Sequence, residues 1–180
     1  MPIVRGKKIE VLFGAEELAK RNHELAEEIV LSDLRNPLVI SILKGSFVFA
    51  ADLIRALHAA GLSPEVEFIS VSSYGAGETA GELKLLRDVE TEVKGRDILL
   101  IDDILESGNT LKFTHDLMLG RGANRVAIVA LLNKGMKRRA EVSADHIGFD
   151  CPDKFVVGYG MDAGHAFREL PFVGVVTGDA

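Results

Sequence analysis

The chain has 180 residues and carries 21 Lys plus Arg against 27 Asp plus Glu, a formal charge of −6. That length fits one domain with its own core, the single cysteine excludes a disulfide framework or a cysteine-based zinc site, and the acid excess weighs against a broad nucleic-acid-binding face. No apolar run approaches the ~18 residues of a membrane span, Met1–Lys8 lacks the apolar stretch of a signal peptide, and one unpaired cysteine fits a reducing compartment, so a soluble, cytoplasmic protein is expected.

No internal repeat, low-complexity tract or linker interrupts the chain. Residues 10–13 are short and extended. After Gly14, Leu18, Leu25 and Ile29 with Ala15, Ala19 and Ala26 form one stripe of a helix over about 15–31. Leu38–Leu43 is a near-continuous apolar run, as in a strand buried on both faces of a parallel sheet. A helix over 47–60 stops at Gly61, and Val66–Val71 is a strand. Residues 72–82 hold three glycines and almost no bulky apolar group, the composition of a long functional loop. Leu83–Leu86 returns as a strand, Asp97–Ile101 is a buried strand, 110–119 is a helix with Leu111, Thr114 or His115 and Met118 on one stripe, and Arg125–Leu132 is a strand again. Phe155–Tyr159 and Val173–Thr177 complete the set. Strands alternating with helices predict an α/β fold with a core twisted, mostly parallel sheet flanked by helices, and ligands in such sheets bind beyond the carboxyl ends of the strands.

The densest chemistry lies at one such end, Ile101-Asp102-Asp103-Ile104-Leu105-Glu106-Ser107-Gly108-Asn109-Thr110. A buried strand runs into two carboxylates, then a short polar turn, then a helix. Gly108 permits a turn that aims several N–H groups at one point, the hydroxyls add donors, and the helix start adds positive potential, which together make a phosphate site. The acids cannot hold phosphate; they can accept hydrogen bonds from ribose hydroxyls or hold Mg²⁺ through water. A sugar phosphate with a metal satisfies both halves. The dinucleotide and Walker glycine patterns are both absent.

This segment resembles the phosphoribosyl-pyrophosphate signature of the type I phosphoribosyltransferases, and within them the hypoxanthine (hypoxanthine-guanine) branch. Leu43-Lys44-Gly45-Ser46 resembles the branch's pyrophosphate loop, Ser72-Ser73-Tyr74-Gly75 the start of its mobile lid, Leu131-Leu132-Asn133-Lys134 its purine-recognition strand, and Pro152–Asp162 with Arg168 its hood segment. The motifs stand in family order over about residues 38–170. The resemblance implies a single domain over 1–180, with a small hood subdomain from about 1–14 and 150–180 and a lid over about 72–83. It implies transfer of a phosphoribosyl group to a purine nitrogen with loss of pyrophosphate, aided by Mg²⁺, and a homo-oligomer, dimer or tetramer. By the same resemblance Ser107, Gly108, Asn109 and Thr110 would cradle the 5′-phosphate, and Asp102 and Asp103 would hold the ribose hydroxyls and the metal environment. Lys44, Gly45, Ser73, Tyr74 and Arg168 would meet the pyrophosphate, with a Lys44–Gly45 peptide that is often cis in the family. Lys134 would donate to a purine 6-oxo group, Phe155 would stack on the base, Ile104 and the Val156 backbone would line its edge, and Asp162 would sit by the purine and a second Mg²⁺. A lysine only donates, so it favours an oxo over an amino substituent; hypoxanthine, and guanine with it, are therefore expected over adenine.

Glu106 departs from the family, which commonly has Asp at this place near the purine. The carboxylate is kept with roughly 1.5 Å more reach, so it either accepts the purine proton or only orients the base. Ala163 stands where many members carry an aromatic. The five histidines show no metal spacing, Lys137-Arg138-Arg139 has the character of a solvated basic loop, and Cys151 that of a buried thiol. Three other readings stand beside the main one. An acid pair at a strand end also occurs in phospho-acceptor receiver domains, where it follows the first strand rather than the middle of the chain. A regulator of this fold that binds RNA is opposed by the negative charge. A same-fold xanthine–guanine enzyme differs only in the base.

Overall fold

The computed structural model describes residues 1–74 and 82–179; Gly75–Gly81, most of the expected lid, lies outside them, as do the side chains of Ser73 and Tyr74. In chain order the elements are β1 (Ile3–Val4), β2 (Lys7–Phe13), α1 (Ala15–Leu31), β3 (Leu38–Leu43), α2 (Phe47–Ala59), β4 (Glu65–Tyr74), β5 (Glu82–Arg87), β6 (Asp97–Leu105), α3 (Asn109–Gly120), β7 (Arg125–Asn133), β8 (His146–Asp150), β9 (Val156–Val157) and β10 (Val173–Asp179), with a 3-10 turn at Gly135–Lys137.

The larger sheet has the order β5-β4-β3-β6-β7-β8, with every neighbour parallel except the antiparallel β4–β5 pair. Its central strands are apolar on both sides because each face has its own cover. Val39, Leu99, Ile101, Ala127, Val129 and Leu131 face Leu18, Leu25, Ile29, Phe49, Leu53 and Leu57 of α1 and α2. Leu38, Ile40, Ile98, Leu100, Ile128 and Ala130 face Leu111 and Met118 of α3. The strand period of two sorts one run of residues between two cores. A smaller sheet, β1-β2-β10-β9, is wholly antiparallel and joins the two ends of the chain around Ile9, Val157, Phe167 and Leu170. No helix among the described residues is long and apolar enough to cross a membrane.

Several places differ from the sequence expectation: β4 runs on to Tyr74 and pairs there with Glu82 of β5, inside the expected loop over 72–82, and β2 begins at Lys7 rather than residue 10; the others have tertiary reasons. The buried stripe of α1 is Leu18, Asn22, Leu25, Ala26 and Ile29, while Ala15 and Ala19 are exposed; Asn22 enters because the Tyr159 hydroxyl and the Leu18 carbonyl both accept from its amide, each at 2.9 Å. β6 does not stop before the acids: Asp102, Ile104 and Leu105 pair with Ala130, Leu132 and Asn133 of β7, which keeps the chain extended to Leu105. β8 has no strong strand signal, yet it forms on the β7 edge, where Arg21 of α1 caps it by donating to the Ile147 and Gly148 carbonyls at 2.7 and 2.9 Å. A Cβ at Gly148 would stand 2.4 Å from the Leu131 carbonyl oxygen, so only glycine fits that crossing. The strand expected over Phe155–Tyr159 shrinks to Val156–Val157, because Gly158, Tyr159 and Gly160 turn away with φ of +94°, +51° and +100°. His146 of β8 has a side chain only 11% exposed and lies 3.5 Å from Glu28.

Candidate active site

The carboxyl ends of β3, β6 and β7 open on one continuous cleft made of two recesses. The first, about 270 Å³, is lined by Lys44, Gly45, Asp102, Asp103, Ile104, Glu106, Ser107, Gly108 and Thr110 among others. The second, about 540 Å³, shares Lys44, Gly45, Asp103, Ile104 and Glu106 and adds Lys134, Phe155, Val156, Asp162 and Arg168. Residues up to 125 positions apart in sequence thus meet at one site (43 to 168). Of the predicted residues Asn109 lines neither recess, and Ser73 and Tyr74 close β4, with their side chains outside the described set.

Asp102 is buried, and Asp103 beside it is half-buried. Loss of water, then the neighbouring Asp103 charge, holds the Asp102 carboxyl well above the usual carboxylate range. Burial also raises Asp103, against hydrogen bonding from Asp102 and the Ile104 N–H and attraction to Arg168. The pair is fixed by its own backbone: Asp102 accepts from the Asp103 N–H at 3.0 Å, and Asp103 from the Ile104 N–H at 2.9 Å. Opposite stands the β3–α2 turn, with a cis peptide between Leu43 and Lys44, one bond earlier than the Lys44–Gly45 peptide that the resemblance points to. A Cβ at Gly45 would fall 1.8 Å from Asp103 Oδ2, and one at Gly160 only 2.4 Å from the Gly45 carbonyl oxygen. The acid pair, the Lys44–Gly45 turn and the chain at Gly160 are stacked backbone against side chain, with no room for a methyl group.

The next turn is the one expected to cradle an anion. Gly108 caps α3 with φ of +81°, a conformation only glycine adopts at low cost, and a Cβ there would meet Val142 Cγ1 at 2.6 Å. The first N–H groups of α3 have no partner within the helix, and its positive end faces the first recess. Across the cleft, Lys134 is buried and donates to the Lys154 carbonyl at 2.7 Å. Phe155 is 66% exposed, a large aromatic face left open to the second recess, while Val156 beside it is buried. Arg168 pairs with Asp162 at 2.8 Å and donates to the Gly160 carbonyl at 2.6 Å; the other Asp162 oxygen accepts from the His165 N–H at 2.7 Å.

The residues fit a Mg²⁺ ion held in company with substrate. Among the described residues no group of three or more His, Cys, Asp or Glu could form a cage by itself. Mg²⁺ is commonly held by one or two carboxylates, waters and substrate phosphates, and Asp102 and Asp103 would supply carboxylates whose charge such a cation would stabilise. Sequence reading missed Val71, Ser72, Leu86 and Met161 as lining residues; they are ordinary strand and loop residues whose only signal is position. It also misjudged Arg138, which is half-buried and hydrogen-bonded to the loop around Glu106 rather than solvated.

A mostly parallel sheet with a carboxylate pair, a left-handed glycine cap and a helix start at its open end, beside which the segment entering a second sheet carries an exposed aromatic, defines the type I phosphoribosyltransferase fold. A family model for the phosphoribosyl transferase domain matches residues 11–163, and the chain belongs to the hypoxanthine–guanine branch of that family. It is 41% identical to the hypoxanthine-guanine phosphoribosyltransferase of Aquifex aeolicus over 98% of this chain and 99% of that protein. It is 43% identical to that of Bacillus subtilis over 92% of each. The crystal structure of a hypoxanthine phosphoribosyltransferase from Staphylococcus aureus superposes with a TM-score of 0.88 at 37% identity, covering 95% of this chain and 92% of that one.

Proposed function

We propose that this protein is a Mg²⁺-dependent phosphoribosyltransferase of purine salvage. It moves the phosphoribosyl group of 5-phosphoribosyl 1-pyrophosphate to hypoxanthine, and to guanine as a second acceptor, forming the nucleoside monophosphate and pyrophosphate. The observation that carries this reading is the meeting, in one cleft, of an acid pair and phosphate cradle on one side with a buried lysine and an open aromatic on the other.

In the reaction the bond from the sugar anomeric carbon to pyrophosphate breaks, the bond to a purine nitrogen forms, and the purine loses a proton. The sugar gains oxocarbenium character and the leaving group gains charge, so the site must hold anions in place and keep water out. Ser107, Gly108, Asn109 and Thr110 grip the 5′-phosphate. Asp102 and Asp103 accept from the ribose hydroxyls and, with Asp162, hold the metal environment; when bound, Mg²⁺ neutralises pyrophosphate charge. Lys44, Gly45 and Arg168 hold the pyrophosphate, Arg168 by the fork geometry that suits phosphate, and Ser73 and Tyr74, the last residues of β4, join them. Lys134 has three N–H donors, and the Lys154 carbonyl takes one, so it offers the others to a 6-oxo group and nothing to a 6-amino group. Phe155 stacks on the purine, with Ile104 and the Val156 backbone along its edges. Glu106 accepts the departing proton or orients the ring.

The test is a turnover assay with Mg²⁺, 5-phosphoribosyl 1-pyrophosphate and hypoxanthine, guanine or xanthine in turn. Turnover is expected with hypoxanthine; a protein inert toward all three oxopurines would overturn the reading, and turnover confined to xanthine and guanine would move it to the neighbouring enzyme.

A further inference from the structure

The segment after β7 turns back onto the phosphate cradle. Arg138 Nε donates to the Glu106 carbonyl at 3.1 Å, Nη1 to the Val142 carbonyl at 2.9 Å, and Nη2 to Asn133 Oδ1 at 2.8 Å and, longer, to the Leu105 carbonyl at 3.4 Å. The N–H groups of Arg139 and Ala140 both donate to the Ser107 carbonyl, at 2.9 and 3.0 Å, and the Lys134 N–H donates to the Leu105 carbonyl at 3.0 Å. The Gly108 carbonyl accepts from the Lys112 N–H at 2.8 Å. All four carbonyls from Leu105 to Gly108 are therefore held on the side of the loop away from the first recess.

In a trans peptide the C=O of one residue and the N–H of the next point in opposite directions. Pinning the carbonyls of Leu105, Glu106 and Ser107 backward thus turns the N–H groups of Glu106, Ser107 and Gly108 forward, toward the recess that these residues and Thr110 line, while the Asn109 N–H donates to the Ser107 hydroxyl at 3.4 Å. A guanidinium suits this task because its planar fork presents donors in several fixed directions at once, and it cannot lose its charge.

We propose that Arg138 is a positioning residue for the 5′-phosphate: it sets the peptide planes of the Leu105–Gly108 loop so that their N–H groups converge on the anion before substrate arrives. Resting on the phosphoribosyltransferase reading, this assigns the preorganisation of its phosphate subsite to a side chain that touches no substrate.

The experiment compares wild type, Arg138→Met and Arg138→Lys, with KM for 5-phosphoribosyl 1-pyrophosphate and for hypoxanthine measured separately, and with ribose 5-phosphate titrated calorimetrically onto each protein without turnover. Arg138→Met should raise KM for the pyrophosphate donor and weaken ribose 5-phosphate about tenfold or more, while KM for hypoxanthine stays within about twofold. Arg138→Lys, with one compact ammonium, should fall between, and it decides the matter if the methionine variant does not fold. Ribose 5-phosphate affinity within about twofold of wild type in a folded variant, or a parallel rise of both KM values, overturns the proposal. Ribose 5-phosphate binding that depends on Arg138 in a protein inert toward every oxopurine would sink the enzymatic reading and leave this one standing.

Discussion

Asp102 works against the stability of the ligand-free protein. Its raised folded-state pKa means the folded chain keeps a proton that the unfolded chain releases, so stability falls as pH climbs from the ordinary carboxylate range through the raised value. Asp102→Asn removes that loss. Its thermal midpoint should exceed that of wild type near neutral pH and merge with it in acid, while turnover disappears; melting curves across pH read the first outcome and the turnover assay the second. Gly45 shows the same priority of site over comfort. With a methyl group only 1.8 Å from Asp103 Oδ2, Gly45→Ala must push the carboxylate aside, and a loss of about a hundredfold in kcat/KM is expected from the displacement. Glu106 lies 3.8 Å from Lys137, which is itself 3.0 Å from Asp153. If Glu106 takes the purine proton, Glu106→Gln should lower kcat by about two orders of magnitude and flatten the acid limb of its pH profile, with Glu106→Asp retaining that limb. An unchanged profile in the glutamine variant would leave Glu106 only an orienting role.

At the scale of elements, the two helices on one face of the sheet are tied to the turn beside the cleft by a single phenol. Tyr159 donates to Asp52 of α2 at 2.5 Å and accepts from Asn22 of α1 at 2.9 Å, and burial with the neighbouring Asp52 charge pushes its hydroxyl far above the ordinary phenol range. Tyr159→Phe keeps the ring and strands a buried amide and a carboxylate without the hydroxyl between them, at a cost of about 1–3 kcal/mol. For a chain of this size that is a fall of roughly 2–4 °C in Tm per kcal/mol, which calorimetry would detect; a midpoint unchanged from wild type would show that the knot contributes nothing to stability. The edge strand β8 follows the same logic: its pattern is weak in isolation, and it exists because β7 offers an unpaired edge and Arg21 caps the strand from α1.

At the scale of the molecule, the fold is held by apolar cores on both faces of the larger sheet and a third within the smaller one, none of which needs a metal. A chelator should therefore stop turnover yet leave the Tm of the ligand-free protein unchanged, and Mg²⁺ added back should restore the rate; a chelator-induced drop in Tm would mean that the ion is structural. The division between what can be read from the chain and what cannot follows from the range of the forces involved. The apolar runs of β3, β6 and β7, the helices between them and the Asp102–Thr110 turn are legible in the sequence because periodicity and turn chemistry act over neighbouring residues, and these local patterns were enough to place an acid pair and a glycine turn at the carboxyl end of a central strand. Asn22 in a buried stripe, β8 as a strand and Arg138 as a brace for the loop depend on partners 137, 17 and 32 positions away. Hydrogen bonds of that kind have no sequence period, and only the tertiary structure decides them.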